Sequence, residues 1–224
     1  MTSFRFAGLG DVTRVGLSVR LAVDRLLRFA YVERRLMFLA AAHLGPVPER
    51  DLKLLLGRLQ YDAGERCRGL RERLHQMRTP KSRIEKKPDE QLEILMDEAF
   101  RSESSREIAE TIWWLHRELH ATYEYYLRTT NPLADAPTCD VIEAGLPSLS
   151  SAIDCLDHYL NHLGADAPSR GAGEGWKSFC FLQEAWMGPA QNPRSSPSGN
   201  DRSGRSGCRE RPAAMRPSSV YGIM

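Results

Sequence analysis

A few side chains have the types and spacing to do chemistry. Glu33 falls among Ala22, Leu26, Phe29, Leu36 and Ala40, an apolar stripe at helical spacing. A carboxylate inside such a stripe must be paired with a cation, protonated or bound to a metal, because an unpaired buried charge is too costly. The other reading is a tilted helix in which Glu33 reaches solvent at a groove. A second stripe runs through Leu56, Leu59, Ala63, Cys67, Leu70, Leu74 and Met77. At 3.6 residues per turn it sets Arg66 on its inner side and Asp62 on its flank, while Glu65 points outward.

Two histidine pairs stand at i, i+4; for His116 and His120 that spacing would let two imidazoles meet one ion, against the commoner reading of half-buried histidines bonded to a neighbour. His116 and His120 lie along the flank of a third stripe, Ile108, Ile112, Leu115, Leu119, Tyr123 and Tyr126. His158 and His162 project to the outer face of a fourth, Ile142, Leu146, Leu149, Ile153, Leu156 and Leu160, and read as solvated, with Asp157 beside that stripe. Cys155 also faces outward there, which gives a cysteine–histidine nucleophile little support. Other chemistries lack their residues. Gly8 and Gly10 follow no strand and so form no phosphate loop, no serine sits in a nucleophile elbow, and no CxxC occurs.

These side chains need long helices to hold them. Residues 14–44 lack proline and are rich in Leu, Arg and Ala, which predicts one long helix ended by Gly45-Pro46. The next helix is expected from Glu49 to Met77, followed by a charged connection over 81–102 with a short helix near Gln91–Phe100. A third long helix follows the serines at 102–105 and ends at Thr129, before Asn131-Pro132. A fourth spans Pro137 to Leu163, kinked or interrupted at Pro147. Phe100, Trp113, Trp114 and Tyr125 are expected to fill contacts with the crossover. The short–long–short rhythm of the connections is that of an antiparallel four-helix bundle with one crossover, in an all-α chain.

Charge and composition divide the 224 residues unevenly. Residues 1–13 read as an N-terminal extension and 14–163 as the helical bundle. Residues 164–224 hold 9 glycines, 6 prolines and 9 serines at a net charge of +3, against −1 for the rest. That composition cannot bury enough apolar surface to offset ordering, so a disordered C-terminal tail is expected. Five cysteines without framework or metal spacing point to a reducing compartment, hence the cytoplasm. Neither a signal peptide nor a membrane-spanning stretch is evident, since Leu36–Leu44 is far too short to cross a bilayer. Arg58, Arg66, Arg68, Arg71, Arg73 and Arg78 crowd the second helix, but Glu65 and Glu72 interrupt them, so specific nucleic-acid binding is not expected. The Arg202–Arg211 segment has the composition for non-specific anion binding only.

The words "FAYVERRLMFLAAAHLGPVPERDLKLLLGRLQYDAGERCRGLRERLHQMR" and "YEYYLRTTNPLADAPTCDVI" resemble the ferritin-like superfamily, in particular bacterial members of it, over about residues 14–163. The resemblance implies a ferritin-like bundle. In that superfamily two iron or manganese ions are often held by one Glu from each of two helices and a Glu-x-x-His from each of the others. Glu33 matches a first-helix Glu. Arg66 stands where the second-helix histidine belongs, in Asp62-Ala63-Gly64-Glu65-Arg66. The fourth-helix stretch, Pro147-Ser148-Leu149-Ser150-Ser151-Ala152, has neither carboxylate nor imidazole. The ligand set is degenerate.

The sequence therefore leads to a bundle without cofactor in which a Glu33–Arg66 ion pair replaces the metals. Its expected role is non-catalytic, structural or partner-binding, with another protein or a second copy as partner. The alternative is a metalloprotein with a reduced iron or manganese site built from Glu33, Asp62 and His116, and an oxidoreductase-type activity.

Overall fold

The computed structural model describes residues 15–163, and within them every regular element is a helix. In chain order these are α1 (Val19–Leu44), α2 (Arg50–Gln76), α3 (Lys81–Glu85), α4 (Glu90–Ala99), α5 (Ser105–Thr129) and α6 (Ala136–His162). The expectations for 1–13 and for a disordered tail over 164–224 lie outside the described residues. No described helix is long and apolar enough to cross a membrane.

Local chemistry sets most of the boundaries. The Ser18 hydroxyl accepts the Leu21 N–H at 3.3 Å, so α1 starts at Val19 rather than at residue 14. Arg78 adopts φ 56° after α2. There its N–H reaches the His75 carbonyl and the Thr79 N–H the Leu74 carbonyl, a Schellman closure with arginine where glycine is usual. Pro80 then prevents continuation and starts α3, an element too short for periodicity to reveal. Asp89 caps α4 through Leu92 N at 2.7 Å, and Ser104 caps α5 through Glu107 N at 3.1 Å. Asn131 Oδ1 takes the N–H groups of Leu133 and Ala134, which turns the chain into α6.

The interruption expected at Pro147 does not occur, and α6 runs through it. Pro147 itself is exposed, so its ring meets no packed neighbour in the core.

α1 packs along α2 and α5 along α6, and the two hairpins meet chiefly through α2 and α6. The stripes read from the sequence line this core: Leu26, Phe29, Leu56, Leu70, Leu115, Leu119, Ile142 and Leu149 are all buried. On α6 the buried line shifts slightly. Gly145 and Ala152 are buried, whereas Leu146, Ile153 and Leu160 are only partly so. The crossover is held by arginines of the first hairpin. Arg28 pairs with Asp89, Arg35 with Asp97, and Arg34 and Arg71 both with Glu85. Arg35 also lies over the Phe100 ring, 4.5 Å from its centroid. Tyr125, expected against the crossover, is instead at the surface.

Candidate functional site

The apolar neighbours of Glu33 on α1, Phe29, Val32 and Leu36, turn its face of the helix into the core, and Glu33 is 0% exposed. Its Oε1 accepts two hydrogen bonds, from Arg66 Nε at 2.7 Å and from the Tyr123 hydroxyl at 2.9 Å. Arg66 reaches across from α2, and its Nη1 donates to Ser148 Oγ on α6 at 2.9 Å. Ser148 in turn donates to the Gly145 carbonyl at 2.9 Å, which orients the oxygen that receives Arg66. The Phe29 ring lies against Tyr123, with centroids 5.0 Å apart. Each long helix contributes one member: Glu33, Arg66, Tyr123 and Ser148.

Gly145 gives the cluster its room. A Cβ there would stand 3.2 Å from Arg66 Cδ and 3.3 Å from Tyr123 Cε2, closer than side chains normally approach. The absent side chain lets a guanidinium cross from α2 to α6 inside an apolar core.

Burial raises the Glu33 carboxyl above its ordinary value, while the Arg66 charge and the hydrogen bonds from Arg66 and Tyr123 pull it back down. For Arg66, burial acts to lower the pKa, but the charge and hydrogen bond of Glu33 outweigh it, and the guanidinium stays charged. Burial and the Glu33 charge both push the Tyr123 hydroxyl well up, so it remains a donor. The same two influences lift the Cys67 thiol to about 11, which leaves it inert as a nucleophile.

His116 is buried on α5 two turns before Tyr123. Its Nδ1 donates to the Ile112 carbonyl at 2.8 Å, because a carbonyl only accepts. Burial first, and the Arg66 charge second, push its pKa down to about 3, so the imidazole is neutral. Its Nε2, together with Glu33 Oε2 and Arg66 Nη2, is buried without a hydrogen-bond partner in the protein.

Asp62 flanks the cluster: its side chain is 12% exposed, and its charge acts on Arg66. It accepts from Arg58 Nε at 2.9 Å, an i, i+4 pair on α2. His120 meets Ser150 Oγ at 3.1 Å near the surface, and Asp157, His158 and His162 are exposed. Among the described residues no three His, Cys, Asp or Glu side chains gather in a way that could hold a metal ion.

A di-iron or di-manganese centre therefore does not fit these residues. Such a centre needs roughly four carboxylates and two imidazoles. Among the described residues one carboxylate, Glu33, is buried in the core, and its Oε1 already receives a guanidinium N–H and a phenol. A dication at Glu33 would also meet the positive charge of Arg66.

The arginine face of α2 is largely compensated. Arg58 pairs with Asp62, Arg68 with Glu65 and Glu72, Arg71 with Glu85, and Arg73 with Asp135. Three members of the cluster escaped sequence reading. Tyr123 reads as core, Ser148 as part of a fourth-helix stretch without ligands, and Gly145 is not singled out. The available signal was a glycine in a buried helical stripe, a position that favours a long side chain arriving from opposite.

The chain matches no protein-family model, no curated protein and no solved structure.

Proposed function

We propose that residues 14–163 form a ferritin-like bundle in which an internal ion pair takes the place of a metal centre. The protein serves as a non-catalytic structural or partner-binding module. The observation that carries this reading is the occupancy of Glu33 Oε1, shared by Arg66 and Tyr123 in a core with one carboxylate. The groups that might do chemistry in the core are closed off from it: the Cys67 thiol is raised, His116 is neutral, and both are buried.

The surface supports a binding role. Leu54 and Tyr61 lie seven residues apart on the outward side of α2, and Phe38 is exposed on α1. A second copy of the chain or another protein is the partner class that such side chains suit. Free thiols at Cys67, Cys139 and Cys155 are in keeping with a reducing compartment such as the cytoplasm. The alternative metal set, Glu33 with Asp62 and His116, draws less support because Asp62 is already paired with Arg58.

Elemental analysis of the full chain, purified without chelator and dialysed, tests the proposal. Iron and manganese are expected well below one ion per chain. One or two retained ions per chain, lost in Glu33→Gln, would overturn it.

A further inference from the structure

The pair His158 and His162 closes the last turn of α6, outside the core, with both rings exposed. Their centroids lie 4.1 Å apart with the planes inclined at 51°. His162 Nδ1 is 2.8 Å from the His158 carbonyl and must carry the proton in that contact. Its Nε2 lone pair is then left for another partner. This is the tautomer in which proteins present histidine to a metal, with the second nitrogen fixed by a carbonyl.

The surroundings favour a cation. α6 contains four acidic residues, Asp140, Glu143, Asp154 and Asp157, and no lysine or arginine. Asp154 stands one turn before His158 on the same side of the helix. The end of the helix bears the negative pole of its dipole, which stabilises positive charge in the last turn.

We propose that His158 and His162 form a bidentate surface site for one transition-metal dication of the zinc, nickel or copper class. Imidazole nitrogen suits these ions, whereas calcium and magnesium require oxygen donors. The protein supplies two ligands, and water fills the remaining positions. The site goes beyond the metal-free interior and stands independently of it, since it shares no residue with the Glu33 cluster.

Calorimetric titration of the untagged full chain with NiCl2, in a buffer that does not chelate, tests this site. One nickel ion per chain is expected, with affinity at least tenfold weaker in His158→Gln and again in His162→Gln. His120→Gln, whose ring is held near Ser150, should leave the affinity unchanged. Paramagnetic broadening of amide resonances in the wild-type chain gives a readout free of substitutions, and it should centre on residues 154–163. Affinity within twofold of wild type in both variants, or broadening centred elsewhere, overturns the assignment. The result is separable from the interior reading, which rests on retained iron or manganese and on Glu33.

Discussion

Replacing Arg66 by methionine keeps most of the side-chain volume and removes the guanidinium, leaving Glu33 in the core with Tyr123 as its one hydrogen-bond donor. Loss of one half of a buried ion pair costs roughly 3–5 kcal/mol, because the partner's desolvation is no longer repaid by attraction. The carboxylate has an escape, which sets a second estimate. It can take up a proton, and doing so at pH 7 from the ordinary value of 4.5 costs about 3.4 kcal/mol at roughly 1.36 kcal/mol per pKa unit. The two estimates converge, so Arg66→Met is expected to destabilise the bundle by about 3 kcal/mol at pH 7.

The pH dependence of that loss is the sharper test. Arg66 lowers the Glu33 pKa in the wild-type fold, so its removal raises the folded value further above the unfolded one. A carboxyl raised in the fold keeps its full contribution below its unfolded pKa and loses it as the pH rises. The cost of Arg66→Met should therefore shrink, by up to about 1.4 kcal/mol per pH unit, as the pH falls from 7 toward the wild-type folded value, which itself lies above 4.5. Adding Glu33→Gln should recover much of the loss at pH 7 and flatten the slope. Glu33→Gln alone should offer no such relief, because Arg66 cannot shed its proton. Urea unfolding followed by circular dichroism at pH 5 and pH 7 measures all three variants. A loss below about 0.5 kcal/mol for Arg66→Met at pH 7, or an equal loss at both pH values, refutes the reasoning.

Gly145→Ala gains about 1 kcal/mol of helix propensity but crowds Arg66 and Tyr123, both held by hydrogen bonds to Glu33. A net destabilisation is expected in wild type and a stabilisation in the Arg66→Met background, read by the same unfolding assay. His116, pushed down to about 3 in the fold, contributes stability that is full above its ordinary 6.5 and is lost as the pH falls from 6.5 toward 3. His116→Leu should remove up to about 1.4 kcal/mol per pH unit of that acid sensitivity, visible in unfolding midpoints between pH 4 and 7. In native protein, maleimide should modify the exposed Cys155 and spare buried Cys67 and Cys139, each held near 11. Peptide mass spectrometry checks this, and rapid labelling of Cys67 without unfolding would contradict its burial.

The helical period carried the parts of the structure that depend on one face meeting the core. It set Glu33 between Phe29 and Leu36 and gave the buried side of α2 from Leu56 to Leu74. It failed where local chemistry overrides the period. Residues 15–18 have helix-forming neighbours, yet Ser18 serves α1 better as a cap than as a member. α3 is five residues long, less than two turns. Arg66 was legible as inward-facing because its angle lies near the stripe, and the pairing of Asp62 with Arg58 was not legible because a flanking carboxylate can turn either way. Gly145 and Ser148 become site residues only through what α2 sends across to them, and no pattern within α6 contains that information.

A bundle of four apolar stripes has neighbouring packings that differ by a slide of one helical turn, about 5.4 Å, and hydrophobic contact discriminates weakly among them. The Glu33, Arg66, Tyr123 and Ser148 contacts cannot survive such a slide of any one helix, and each would leave a polar group stranded in the core. The cluster thus acts as a vernier between the two hairpins. It makes one axial alignment distinct from its near-equivalents, and a core of leucine alone would have left that choice open.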